Sequence, residues 1–115
     1  MKHARDAAVQ TIVLLKNQDN TLPLTGARLH KVAVLGPGGN TRGHPTYGPG
    51  VTSNATTVFT ALESRLGATG VVMFAQGCDT TACDTYNKSS VSEALVGATS
   101  AVVVLSGTGL ENEGG

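Results

Sequence analysis

Three short apolar runs constrain this chain more than any other feature: Lys31-Val32-Ala33-Val34-Leu35, Gly70-Val71-Val72-Met73-Phe74-Ala75 and Ala101-Val102-Val103-Val104-Leu105. They are nearly continuous rather than alternating, and rich in β-branched side chains. Strands of that pattern are buried on both faces, as in a parallel sheet covered by helices. Helical spacing fills the intervals, with Val58, Leu62 and Leu66 aligned beside Phe59, and Val91, Leu95 and Ala98 aligned further on. Ahead of the first run, Ala4, Ala7, Ala8, Thr11, Ile12 and Leu15 share one stripe. The resulting order, α-β-α-β-α-β, predicts an α/β three-layer sandwich with a mostly parallel sheet.

The expected strands lie near 31–36, 70–75 and 101–106, and the expected helices near 4–16, 57–66 and 90–98. The opening helix should bury Ala8, Ile12 and Leu15. Its second half contains Thr11-Ile12-Val13, so it depends on packing rather than on propensity. Gly67 is a natural stop for the second helix. Ser89 or Ser90 starts the third, with Glu93 at the capping-box spacing from Ser90. Three strands make a thin sheet, and a carboxylate-bearing segment follows the last one directly. The domain therefore reads as truncated on its C-terminal side.

At 115 residues the chain suffices for one modest domain, and 40 % hydrophobic content argues against disorder. Eight basic and eight acidic side chains balance, so nothing draws it toward nucleic acid or an anionic membrane. No apolar run reaches the length of a transmembrane span. Met1-Lys2-His3-Ala4-Arg5-Asp6 lacks the apolar stretch of a signal peptide.

Cys78 and Cys83 bracket a short polar segment, Asp79-Thr80-Thr81-Ala82. Two cysteines without a nearby histidine make a poor zinc site, and no metal or cofactor is expected. A small disulfide-closed loop in an oxidising compartment fits better, with two free thiols as the alternative. Two sequons, Asn54-Ala55-Thr56 and Asn87-Lys88-Ser89, are candidate glycosylation sites.

From Gly36 to Asn54 the chain is punctuated by glycine and proline, long for a connection inside a compact domain and therefore a functional candidate. Gly36-Pro37-Gly38-Gly39 follows a strand but does not open into a helix, as a dinucleotide fingerprint must. Arg42, His44 and Tyr47 in the same loop offer a guanidinium, an imidazole and a phenol to line a polar ligand pocket, or else belong to an ordinary surface loop. Glu111 and Glu113 follow the last strand. Glycoside hydrolysis uses two carboxyl groups roughly 5–9 Å apart, a separation these two can reach, although such pairs usually come from separate elements. A solvated polar segment is the competing interpretation.

Taken together these motifs resemble the C-terminal α/β-sandwich domain of family 3 glycoside hydrolases, the β-glucosidase and β-xylosidase group. The start Ala7-Ala8-Val9-Gln10-Thr11-Ile12-Val13-Leu14-Leu15-Lys16-Asn17 with Leu22-Pro23-Leu24, and the strand and exit Lys31 to Pro37, are similar to the opening of that domain. Tyr47-Gly48 fits its glycine-tyrosine-glycine loop, with Thr46 in place of the first glycine. Gly77-Cys78-Asp79 with Cys83 resembles the subgroup of plant and fungal β-xylosidases. Gly107-Thr108-Gly109-Leu110-Glu111-Asn112-Glu113-Gly114 matches the acid-bearing stretch with a gap.

The resemblance implies a partial C-terminal domain over 1–115, the catalytic (β/α)8 barrel and its aspartate nucleophile being absent from the chain. It puts the acid/base on Glu113, with Glu111 in reserve. The implied parent is a secreted, cofactor-independent, retaining β-glycosidase that hydrolyses terminal non-reducing β-D-xylosyl or β-D-glucosyl residues, and the isolated chain should be inactive. Two other functions are compatible with the residues: a non-catalytic carbohydrate-binding or interface module, and a small nucleotide-binding α/β protein using Gly36 to Gly39.

Overall fold

The computed structural model describes residues 2–42, 55–80 and 82–105. In chain order the elements are α1 (Lys2–Gln10), β1 (Lys31–Leu35), α2 (Val58–Leu66), β2 (Val71–Ala75), α3 (Lys88–Leu95) and β3 (Ser100–Val103), with short 3-10 turns at Gln18–Asn20, Gly26–Leu29 and Gly67–Thr69. The three strands form one open sheet in the order β2-β1-β3, and both pairings are parallel. Lys31 to Leu35 pair with Val71 to Ala75 on one side, and Val32 to Leu35 pair with Ser100 to Val103 on the other.

The central strand holds the core. Val32, Ala33 and Val34 are fully buried, joined by Leu66 of α2, Ala75 of β2 and Ala94 of α3. Val34 and Phe74 stand opposite each other in the register and so share a face. Phe59 of α2 packs its ring on Phe74 at 5.7 Å between centroids, which seats α2 on that face. The chain leaves β1 toward one side and returns from β2 to the other, so right-handed crossovers put α2 and α3 on opposite faces. The expected α/β sandwich is therefore present, with a parallel sheet flanked by helices.

The amino edge is tied by Thr99, whose hydroxyl lies 3.1 Å from the Arg28 carbonyl and 3.0 Å from that of Lys31. The same oxygen accepts from the Lys31 amide at 3.1 Å. Lys31 Nζ donates to the Val96 carbonyl at 2.6 Å, placing a cation at the end of α3. Upstream, Asn17 and Leu22 exchange a reciprocal pair of hydrogen bonds at 2.9 and 3.0 Å, and the Leu22–Pro23 peptide is cis.

Three sequence expectations require correction. The opening helix ends at Gln10 rather than near residue 16, and it does not bury Ala8, Ile12 and Leu15. Ile12 is 78 % exposed and Leu15 92 % exposed. The last turn tightens, with the Thr11 hydroxyl and amide both bonded to the Ala8 carbonyl, and the β-branched residues then leave the helix. Nothing described packs on this stretch, so its weak propensity decides.

The third helix is capped by Asn87, ahead of the expected Ser89 or Ser90, and runs from Lys88; the Asn87 Oδ1 accepts from the Ser90 amide at 3.1 Å. Asparagine caps as well as serine does, and this one takes the position. With the helix ending at Leu95 rather than near 98, Ala94 is its buried residue and Leu95 is exposed. The strands also end early: β1 stops before Gly36, whose φ is +100°, and β3 stops at Val103. Among the described residues no helix is long and apolar enough to cross a membrane.

Candidate functional site

Parallel α/β sheets bind ligands outside the carboxyl ends of their strands, where the strand order reverses. In this sheet the reversal lies between β1 and β3, since β2 and β3 were added on opposite sides of β1. The exits of those two strands are joined directly. Val104 N–H donates to the Leu35 carbonyl at 2.8 Å, and Gly38 N–H donates to the Val104 carbonyl at 3.3 Å. A side chain at Gly36 would run into that same carbonyl, so only glycine lets the turn lie against β3.

Gly39 is similarly enclosed: a Cβ there would come within 2.7 Å of Val34 Cγ1 and 3.0 Å of the Phe74 ring. Its carbonyl accepts from Phe59 N–H at 2.9 Å, linking the turn to the first turn of α2. Asn40 Oδ1 accepts from the buried Thr57 hydroxyl at 2.9 Å. Thr57 is the α2 N-cap, and Thr57 and Thr60 exchange side-chain-to-amide hydrogen bonds in a reciprocal cap. Both ends of the long connection between β1 and α2 are thus pinned to the same corner of the sheet.

This arrangement bears on the nucleotide interpretation. Gly36 N–H donates to the Ala75 carbonyl, Gly38 N–H to Val104 and Gly39 N–H to Gly36. Amides that cradle a phosphate must point at it. These three are spent on backbone carbonyls, so the glycine turn acts as a packing device.

The third exit at this edge follows β2. Cys78 and Cys83 form a disulfide, with Cα atoms 4.7 Å apart. Within the loop, Asp79 Oδ1 accepts from the amides of Thr80 at 2.8 Å and Thr85 at 3.0 Å. The Thr85 backbone hydrogen bond is the main cause that lowers the Asp79 pKa below the usual carboxylate value, against an opposing contribution from desolvation. Asn87 N–H donates to the Gly77 carbonyl at 2.7 Å, so the loop closes just before α3 begins.

Arg42, expected in a ligand-lining loop, is exposed and lies two residues beyond Asn40 at this edge. His44, Tyr47, Asn54, Glu111 and Glu113 lie outside the described residues. Leu105, the last described residue of the β3 exit, precedes Glu111 by six positions and Glu113 by eight. Among the described residues no three His, Cys, Asp or Glu side chains group as a metal site. The ordering roles of Asn40, Thr57 and Asp79 were missed from the sequence. Asp79-Thr80 and Thr57-x-x-Thr60 carry the turn and cap patterns that point to them.

No solved structure matches the chain. A beta-xylosidase of Formosa agariphila is 29 % identical over 115 residues, an alignment covering 91 % of this chain and 15 % of that protein. The chain thus spans about one-seventh of the length of this curated relative. The family described as the glycosyl hydrolase family 3 C-terminal domain matches residues 12–115, which takes in all three strands, the glycine turn, the disulfide loop and both glutamates. By that match over most of its length, the chain belongs to the glycosyl hydrolase family 3 C-terminal domain family.

Proposed function

We propose that this chain supplies the leaving-group side of a retaining β-glycosidase acting on terminal non-reducing β-D-xylosyl or β-D-glucosyl residues. The family match over residues 12–115 carries the reading, and the beta-xylosidase relative favours the xylosyl arm. In this scheme a (β/α)8 barrel elsewhere in the protein provides the aspartate that attacks the anomeric carbon. Glu113 protonates the departing glycosidic oxygen and then, as a base, activates the water that hydrolyses the glycosyl-enzyme. Arg42, His44 and Tyr47 contribute hydrogen bonds to the sugar or aglycone. The disulfide supports an extracellular enzyme.

To act as the acid, Glu113 must carry its proton at the working pH. Glu113→Gln in the complete enzyme removes the transferable proton while keeping size and polarity. The expected loss is on the order of 10²- to 10⁴-fold on alkyl or disaccharide substrates and much smaller on nitrophenyl glycosides, whose leaving groups depart unaided. Glu111→Gln should cost less on both. The reverse pattern assigns the acid to Glu111, and no leaving-group dependence in either variant sinks the assignment. The isolated chain should not turn over aryl β-xylosides or β-glucosides.

A role as an interface module is part of the same reading. Val9, Ile12, Val13, Leu14 and Leu15 are exposed in one continuous stretch, an apolar surface of the kind that a neighbouring domain covers.

A further inference from the structure

We propose that Asn87 is an acceptor for N-linked glycosylation, attached at the cap of α3 without disturbing it. The sequon Asn87-Lys88-Ser89 falls on exposed residues at the junction between the disulfide loop and the helix. Its amide group divides its work between two atoms. Oδ1 does all the capping, accepting from the Ser90 amide at 3.1 Å and from the Ser89 hydroxyl at 2.9 Å. Nδ2, the atom that takes the sugar, donates to no described residue. Asn17 shows the contrasting case, in which Nδ2 is engaged with the Leu22 carbonyl at 3.0 Å.

The modification keeps the carbonyl oxygen and one N–H of the side-chain amide. The bond that forms joins Nδ2 to C1 of the first sugar of a polyprenyl-pyrophosphate-linked oligosaccharide. The bond that breaks joins that C1 to the pyrophosphate oxygen, which leaves with the electron pair, and the proton lost from Nδ2 passes to the transferase. Both acceptor roles of Oδ1 survive this exchange, so helix and glycan are compatible. The Cys78–Cys83 disulfide is an independent sign that the chain folds in an oxidising compartment, where such transfer takes place. The inference does not depend on the glycosidase reading.

The test is translation of the full chain behind a cleavable secretory leader with microsomes from the endoplasmic reticulum. The protease-protected product should gain mass that an endoglycosidase removes, with the released site mapping to Asn87. N87D retains a good cap and should abolish the mapped glycan. S89A leaves the capping asparagine in place and should abolish it as well, whereas S89T should restore it. The inference is overturned if the protected chain is unmodified, if its only glycan maps to Asn54, or if S89A is modified as fully as the parent. It is equally overturned if the glycosylated chain melts at a lower temperature than its enzymatically deglycosylated form, since the cap would then be disturbed.

Discussion

Replacing Gly36 by alanine tests the joint between β1 and β3 directly. The residue has φ +100°, a conformation that costs an L side chain about 1–3 kcal/mol. The added Cβ also collides with the Val104 carbonyl oxygen and lies 3.2 Å from its carbon. Relief requires the turn to move off β3, which loosens the Gly38–Val104 hydrogen bond and strains the Val104–Leu35 one. Each is worth about 0.5–1.5 kcal/mol net. Together the effects amount to about 2–6 kcal/mol, a large part of the roughly 5–15 kcal/mol that holds a typical domain. Gly97→Ala is the control, because Gly97 has φ +67° but nothing within 4 Å of a Cβ. It should cost only the left-handed penalty, about 1–2 kcal/mol. Urea unfolding of both variants, followed by circular dichroism, gives the comparison as a shift in midpoint at unchanged slope. If Gly36→Ala costs no more than Gly97→Ala, the close approach to Val104 does not constrain the fold and the argument fails.

Val34→Ala should cost about 2–3 kcal/mol, since it strips methyl groups from a fully buried side chain of the central strand. Leu15→Ala should stay within about 0.5 kcal/mol, and a loss above about 2 kcal/mol would show that the segment is buried after all. Reducing the Cys78–Cys83 bridge, or substituting Cys83→Ser, frees a loop of five-residue separation and should lower stability by about 2 kcal/mol on the loop-entropy account; an unchanged urea midpoint would refute it. The Asp79 carboxyl should titrate below its ordinary value of 3.8, so its contribution to the loop is complete at neutral pH and disappears as acid takes the pH down through the folded-state pKa. The Thr85 amide resonance reads this titration, and a midpoint above 3.8 would contradict it.

The sheet was legible because burial on both faces leaves a run such as Val32-Ala33-Val34 no polar alternation, and a parallel strand is the compact solution for such a run. The second helix was legible for the same reason, with Leu66 fixing its phase and Gly67 its end. The opening helix was over-extended because periodicity records which residues share a face and not whether anything covers that face. At Ile12 and Leu15 nothing described does. The α3 start was misplaced because Asn87, Ser89 and Ser90 are all competent caps, and tertiary fit settled the choice through the Asn87–Gly77 backbone hydrogen bond. Of the site, the disulfide was legible from spacing, while the links from Asn40 to Thr57 and from Gly38 to Val104 join residues too far apart in the chain for any local pattern to reveal.

The strand order also governs how the sheet grows as the chain is synthesised. The centre is made first: β1 is complete at Leu35, β2 follows 40 residues later at Ala75, and β3 another 28 later at Val103. Each new strand adds to an open edge, so none has to be threaded between two partners already paired. At about 5–20 residues per second, β1 waits roughly 2–8 seconds for its first neighbour and roughly 3–14 seconds for both. During that interval its Val32-Ala33-Val34 run, fully buried in the finished sheet, carries an unpaired edge of the kind that recruits foreign strands, and its second edge stays open until β3 arrives.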